Sequence, residues 1–478
     1  MSIKKFLTYF FFAFICLSFV FVFSWSTSPF YEGRWEGMDS TVFKIIGRYW
    51  AEGLIPYVDI WDQKGPLIHA INAFGYMLTG NYNGILFIQF TSLFITSIFV
   101  FKSLQLTFRY NLSLLLTSFI ILSLSINYDG GNLVEEYLLP FISLSYYILL
   151  KYTLSGLKST KHILIFSFLV GLSLAFSLFT RLTNALGLCA SELIVCTWTL
   201  FDKRYRLFGG IVCFTIIGFM VISTPILLYF FHNDALSEMW YGTFTYNVEY
   251  AASMSNVPKS AGFFITSFNC FVLLFSSLIL LVKKHFREGI MWLASAILPM
   301  VWFLNGANFP HYGMIVFQYL TISYVLISHY TNEYHNSYQF KSRVLIIIGF
   351  MVTICICIRI YKFKDVITCC NDLNKESYVN IICHKYHINK ESLLLYNYSG
   401  KECYEEEIKP AMRFFYLHDF LISNGPSIEK KMLNSLAGSN IEWIIAKGGI
   451  KHTDIRNYVD NHYIKIDDEN GIIVYELK

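Results

Sequence analysis

Behind Lys4 and Lys5 the chain runs apolar from Phe6 to Phe23 without interruption. Ten further apolar stretches follow, at roughly 84–108, 112–127, 137–152, 162–180, 184–201, 207–231, 262–282, 288–304, 311–329 and 343–361. No other feature constrains the fold as much. A helix of about 20 apolar residues spans a bilayer core, and within hydrocarbon only helices or closed barrels satisfy their own backbone. With 55% hydrophobic, 18% aromatic and 15% charged residues, the 478-residue chain reads as an α-helical polytopic membrane protein. The first stretch lacks the short core and small-residue cleavage site of a signal peptide, so it reads as a retained helix. The stretch 66–80 is apolar but short, and reads as re-entrant or interfacial. A net charge of +4 is too small to suggest nucleic acid.

The placement of charge orients the spans. Lys4 and Lys5, Arg109, Lys151 with Lys158 and Lys161, Lys203 with Arg204 and Arg206, Lys283 with Lys284 and Arg287, and Lys341 with Arg343 all fall on one side. The opposite short loops are nearly free of Lys and Arg, apart from the first loop, Arg181 and Lys259. This positive-inside pattern puts the N-terminus in the cytoplasm. The loop 24–83 then lies outside, as does the tail after about residue 361.

That first loop is the polar exception. Val42, Ile45, Ile46, Tyr49 and Trp50 share one helix face between Asp39 and Glu52, with Thr41, Lys44 and Arg48 opposite. Gly53 stops the helix. The pattern suggests an amphipathic helix lying in the interface. Asp39, at its start, suits either an N-cap or a general base; Ser40 can cap instead. Trp61-Asp62-Gln63-Lys64-Gly65-Pro66-Leu67 reads as a turn entering a helix, with Pro66 at its first position. Free N–H groups there attract anions, and Lys64 adds a full charge. The loop reads as the active-site loop of a membrane enzyme.

Other polar residues reach the same side. Glu135 and Glu136 stand at the mouth of a long apolar helix, where carboxylates are costly unless they meet a partner, a metal or water. Arg181 breaks the charge pattern and suits either snorkelling to lipid phosphates or clamping one. His311 opens the tenth span in Asn308-Phe309-Pro310-His311-Tyr312.

The tail, 362–478, is richer in charge and reads as a small α/β domain. Ser392–Tyr398 and Ile441–Ala446 look like strands, about Glu405–Leu421 and His452–His462 like helices. Ile464–Ile466 and Ile472–Leu477 suit a hairpin across Asp468-Glu469-Asn470-Gly471. Most of the eleven cysteines sit singly in spans. Cys369, Cys370, Cys383 and Cys403 lie in the tail, and spacing does not settle their pairing. No CxxC, metal-ligand spacing, Walker loop, dinucleotide loop or internal repeat is present.

These motifs together resemble the GT-C membrane glycosyltransferases, in particular bacterial relatives of the lipid A aminoarabinose transferases and of the protein O-mannosyltransferases. The resemblance rests on one span followed by Gly37-Met38-Asp39, the run Gly53–Leu67, Glu135-Glu136, Thr180-Arg181 and Phe309-Pro310-His311-Tyr312. It covers about residues 1–330 and reaches the tail more loosely. It implies a GT-C-like transmembrane domain over 1–361 and an outward tail domain over 362–478. Asp39 matches the catalytic carboxylate. Lys64 matches the residue that meets the donor phosphate. Arg181, His311, Glu135, Glu136, Tyr57 and Asp59 are substrate-binding candidates. The chain has Lys-Gly-Pro where the aminoarabinose transferases have Lys-Pro-Pro. Gln63 replaces an acidic residue implicated in metal binding, so no metal ligand is assigned, no cofactor is certain, and a divalent metal stays open.

The implied reaction is inverting transfer of a sugar from a polyprenyl phosphate to a lipid, glycan or protein acceptor, among membrane lipids at the outer face. A bacterial cytoplasmic membrane fits the resemblance. A flippase or transporter of lipid-linked glycans would use the same polar groups without breaking a bond. A polymerase or ligase of surface polysaccharide would share the donor.

Overall fold

The computed structural model describes residues 3–31, 38–253, 262–305, 309–331, 377–398, 400–405, 407–425 and 427–478. Up to Tyr330 the chain is a helix bundle: α1 (Ile3–Phe23), α2 (Met38–Ala51), α3 (Pro66–Thr79), α4 (Asn83–Leu104), α5 (Tyr110–Ser123), α6 (Val134–Leu154), α7 (Thr160–Leu178), α8 (Leu186–Phe201), α9 (Tyr205–His232), α10 (Leu236–Trp240), α11 (Tyr246–Ser253), α12 (Gly262–Val282), α13 (Phe286–Asn305) and α14 (Gln318–Tyr330). Among the described residues seven helices are long and apolar enough to cross a membrane, and shorter apolar helices cover Tyr110–Ile126 and Thr266–Val282. The protein is an integral membrane protein. The expected span 311–329 begins as a 3-10 turn, Pro310–Val316, before α14. The expected span 343–361, the domain boundary near 361, and Cys369 and Cys370 lie outside the described residues.

Helices α7 and α9 pack along each other, as do α12 and α13, and α4 lies against α6. Apolar residues on the outer faces, such as Phe10 and Phe14 of α1 and Ile216 and Met220 of α9, stay exposed, as expected of surfaces meant for lipid.

The tail folds as a five-stranded sheet in the order β2-β1-β3-β5-β4. Its strands are β1 (Leu393–Tyr396), β2 (Tyr416–Leu417), β3 (Trp443–Lys447), β4 (Tyr463–Glu469) and β5 (Ile472–Leu477). β1 runs parallel to β2 and β3, while β5 is antiparallel to β3 and β4. The β4–β5 hairpin turns through Asn470 and Gly471, at φ 55° and 76°, the conformation that Asn-Gly favours. Helices Tyr378–Tyr386 and Ile428–Ala437 were not expected. The second carries its apolar residues Ile428, Met432 and Leu436 at every fourth position, all buried. Cys383 and Cys403 are free thiols in the core.

The helix expected over Glu405–Leu421 is not formed. Only Gly400–Glu405 and Asp419–Ser423 are helical, with extended chain, bends and β2 between them. Pro410 lacks a backbone donor and disfavours helix at Lys409. The carbonyl of Arg413 instead accepts the Trp61 N–H at 2.9 Å, and the Phe414 ring packs 5.2 Å from that of Trp61. This segment is thereby tied to the first loop.

Helix α2 departs from expectation in its surroundings. It is not laid on a surface: Ser40 to Gly47 are all buried, Lys44 to 2% exposure. Val42, Ile45 and Ile46 share one core with Ile382, Leu393, Leu395 and Phe415 of the tail domain. On another side α2 meets α3, so closely that a Cβ on Gly47 would overlap Asn72. The Lys44 ammonium lies over the rings of Tyr404 (4.7 Å) and Tyr82 (5.6 Å). The apolar face thus serves the tail domain rather than lipid.

Leu395 is fully buried in that shared core. Leu395→Ala is expected to cost about 2–5 kcal/mol through transfer and cavity terms. Thermal unfolding in detergent should show a lowered Tm, and limited proteolysis should release the tail before the helix bundle is cut.

Candidate active site

Helix α2 starts at Met38, so Asp39 stands in the first turn rather than at the cap. Ser40, the other capping candidate, is engaged elsewhere: Asn132 Nδ2 donates to Ser40 Oγ at 3.0 Å. Asn132 also donates to Asn72 Oδ1 (2.9 Å) and accepts from Tyr137 (2.7 Å). This buried network pins the start of α2 to α3 and α6. The Asp39 side chain, half exposed, is left facing Lys64, with Oδ2 3.6 Å from Nζ.

Lys64 is placed by the turn around it. Tyr57 donates its hydroxyl to the Lys64 carbonyl at 2.5 Å, and the Lys64 N–H reaches Asp62 Oδ2 at 3.3 Å. Tyr57 itself adopts φ 69°, a left-handed conformation costly for a bulky residue. It is buried against Phe230 and His69, and its N–H donates to Ile60 O at 2.7 Å. Pro66 opens α3 with Gly65 as its N-cap. Gly65 rests on the end of α7: a Cβ there would overlap the Phe179 carbonyl, whose oxygen accepts the Leu67 N–H at 3.1 Å. Neither alanine nor proline fits without displacement, which accounts for Lys-Gly-Pro.

That contact sets Lys64 beside Arg181, two residues beyond Phe179. Arg181 Nη1 lies 3.1 Å from Oε1 of the buried Glu135, and its guanidinium stacks 3.0 Å above the Tyr312 ring. Both Arg181 and Tyr312 act on the Lys64 charge. Neighbouring His311 has Nδ1 3.6 Å from Asp129 Oδ2. Asp39 pairs with Lys64, and Arg181 pairs with Glu135 and stacks on Tyr312; the two groups are near enough for their charges to act on each other.

Glu136 and Asp59 take other parts. Glu136 is buried and saturated, accepting from Gln89 (2.7 Å), Tyr128 (2.5 Å) and Leu133 N–H (2.9 Å). It fixes the entry into α6. Glu135 has one oxygen on Arg181 and its other, Oε2, buried with no hydrogen-bond partner among the described residues. Asp59 is exposed and closes its own turn, accepting from Ile55 N–H at 2.7 Å. Tyr57 positions Lys64 through its carbonyl.

Two features were not foreseen. Buried His69 of α3 faces buried Asp62, Nε2 to Oδ2 3.5 Å. Burial pushes the Asp62 carboxyl up, but the facing imidazole and the charge of Lys64 outweigh it and hold the group below its ordinary range. The pair spans a loop and a helix, so no sequence spacing marks it. A π-helical turn, Tyr241–Thr245, joins α10 to α11 over the loop, and Asn247 Nδ2 donates to the Gln63 carbonyl at 2.6 Å. Among the described residues no three His, Cys, Asp or Glu side chains converge to hold a metal. Gln63 brings a neutral amide to the loop beside Lys64.

Asp39 pushes the Lys64 ammonium above the ordinary lysine range; burial opposes it, Tyr312 and Asp62 add, and Arg181 subtracts. The pair stabilises the loop fully below the ordinary lysine value, and this is lost as pH rises through the raised one. Asp39→Asn should therefore lower the pH at which Lys64 becomes reactive, read as the midpoint of Lys64 acylation against pH by peptide mass spectrometry. An unmoved midpoint would show that the two charges are not coupled.

No family model matches this sequence, and no curated protein matches it. Among solved structures, the chain is similar to ArnT from Cupriavidus metallidurans in the apo state, with a TM-score of 0.57 at 11% identity, covering 99% of this chain and 97% of that one. The same protein bound to undecaprenyl phosphate gives a TM-score of 0.55 at 11% identity, covering 99% and 98%. At that identity the likeness is one of fold, and it runs from the first span through the tail domain.

Proposed function

We propose that this protein is a membrane glycosyltransferase that moves a sugar from a polyprenyl-phosphate donor to an acceptor hydroxyl, with inversion at the anomeric carbon. One observation carries the reading: a half-exposed carboxylate, Asp39, stands 3.6 Å from Lys64 at a mouth that Arg181 also reaches. Inverting transfer needs a base on the acceptor and counter-charge for the departing phosphate. The similar fold of ArnT, which has been captured with undecaprenyl phosphate, supports the donor class.

Each residue has a part in this reading. Asp39 takes the proton of the acceptor hydroxyl as its oxygen bonds to the anomeric carbon. The bond from that carbon to the phosphate oxygen breaks, and the electron pair leaves with the phosphate. Lys64 and Arg181 neutralise the charge that develops there, and His311 stands beside them on Tyr312. Asp39 stands in the first turn of α2, and a carboxylate is by its chemistry a weak base. A phosphate is a good leaving group, so a weak base suffices. Glu135 holds Arg181 in place, and Tyr312 keeps its guanidinium plane fixed by stacking.

The deciding experiment compares purified wild type with Asp39→Asn in liposomes carrying a lipid-linked sugar pool from the native host, with a crude envelope fraction as acceptor. Wild type should release free polyprenyl phosphate, and the variant should lose on the order of 10²–10⁴-fold of that rate. Lipid-linked sugar crossing between leaflets intact, with no release from either protein, would overturn the reading in favour of a flippase.

Arg181→Lys keeps the charge but loses the planar fork that grips Glu135 and stacks on Tyr312. Loss of one charge-assisted contact corresponds to about a 10–100-fold drop in kcat/KM for the donor. Steady-state kinetics over donor concentration should show it, with the Tm little changed.

A further inference from the structure

Beside the first loop the tail domain carries an open groove of about 490 Å³, within the usual range of small-molecule sites. One wall is the polar flank of helix Ile428–Ala437, where Lys431, Asn434 and Ser435 sit at i, i+3 and i+4 and continue into Ser439 past its end. The apolar flank, Ile428, Met432 and Leu436, is turned into the core. The facing wall is the extended segment at Arg413, with Val58 of the first loop at the rim.

The charge of the groove has a definite sign. Arg413 and Lys431 converge on a single carboxylate, Glu238 of α10; Lys431 Nζ is 3.1 Å from Oε2 and Arg413 pairs with the same oxygen. Two cations against one anion leave one positive charge in excess. Arg413 Nε is buried with no hydrogen-bond partner among the described residues. Around this charge the lining offers the amide of Asn434 and the hydroxyls of Ser435 and Ser439, alongside the apolar Val58, Ala411 and Met412. Amides and hydroxyls pair with the vicinal hydroxyls of sugars, and the cations suit a carboxylate or phosphate substituent. The groove also has a fixed relation to the active loop, because the Arg413 carbonyl accepts the Trp61 N–H three residues before Lys64.

We infer that this groove binds an anionic saccharide, and that in the transfer reaction it holds the acceptor glycan beside the mouth at Asp39. The second half of the statement rests on the glycosyltransferase reading; the first does not.

The test uses the full-length protein in detergent and soluble trisaccharide probes. Titration calorimetry with tri-galacturonic acid should give saturable binding, with maltotriose at least tenfold weaker. Asn434→Asp places a negative charge on an exposed helix position and should weaken tri-galacturonate at least tenfold. Ser435→Trp fills the groove and should abolish the binding while the Tm stays within a few degrees. Absence of wild-type binding, or equal affinity in both variants, would overturn the proposal. Equal affinity for tri-glutamate would overturn the saccharide assignment in favour of an acidic peptide. The two readings separate cleanly. Wild type that releases polyprenyl phosphate but does not bind the probe refutes the groove alone. Wild type that binds the probe, loses it on Ser435→Trp, and releases nothing refutes the transferase and with it the acceptor role, and leaves the saccharide site standing.

Discussion

The site depends on a contact with no room in it. Gly65 meets the carbonyl at the end of α7 where a single added carbon would overlap. The Leu67 N–H takes the same oxygen as partner. This joins a polar loop, which no membrane helix can supply from its interior, to the rim of the bundle. Lys64, one residue before the contact, is carried to Arg181, two residues after Phe179. Glu135 from α6 and Tyr312 from the 3-10 turn then fix the guanidinium from two further directions. Residues from four separate stretches of chain meet because one glycine permits them to.

A second joint holds the other side of the loop. Helix α2 carries Asp39 on its first turn and spends most of its surface in contact with protein. Its neighbours are α3, through Gly47 and Asn72, and the tail domain, through Val42, Ile45 and Ile46. Trp61 repeats the arrangement from the loop, between Phe414 and Tyr246. Asp39 and Lys64 are thus each supported from the bundle and from the tail domain. Their separation is set by both bodies rather than by local chain geometry.

Much of this was legible in the residues, and the gaps have physical causes. Most span positions followed from apolar runs, and the Asn470-Gly471 hairpin from its turn residues. The face of α2 was visible in its periodicity, but periodicity states that a face is apolar and not what covers it, so lipid was expected where the tail domain lies. The run from about Glu405 to Leu421 reads as helix; Pro410 and the bond from the Trp61 N–H to the Arg413 carbonyl decide otherwise. Adjacent Glu135 and Glu136 point about 100° apart on α6. Nothing local says which one meets Arg181 and which one meets Gln89 and Tyr128. His69 and Asp62 meet across a turn that only the folded chain defines. The twist of Tyr57 into positive φ carries no glycine to announce it.

The burial of α2 has a consequence for how the protein is made. The residues that cover Val42, Ile45 and Ile46 include Leu395 and Phe415, which leave the ribosome more than 300 residues later. The sheet that backs them includes β5, Ile472–Leu477, more than 400 residues after α2. During synthesis α2 is therefore made long before the residues that cover its apolar side. A chain cut before residue 472 would therefore lack the strand against which β3 and, through it, β1 are backed, and with it the support of the cover over α2.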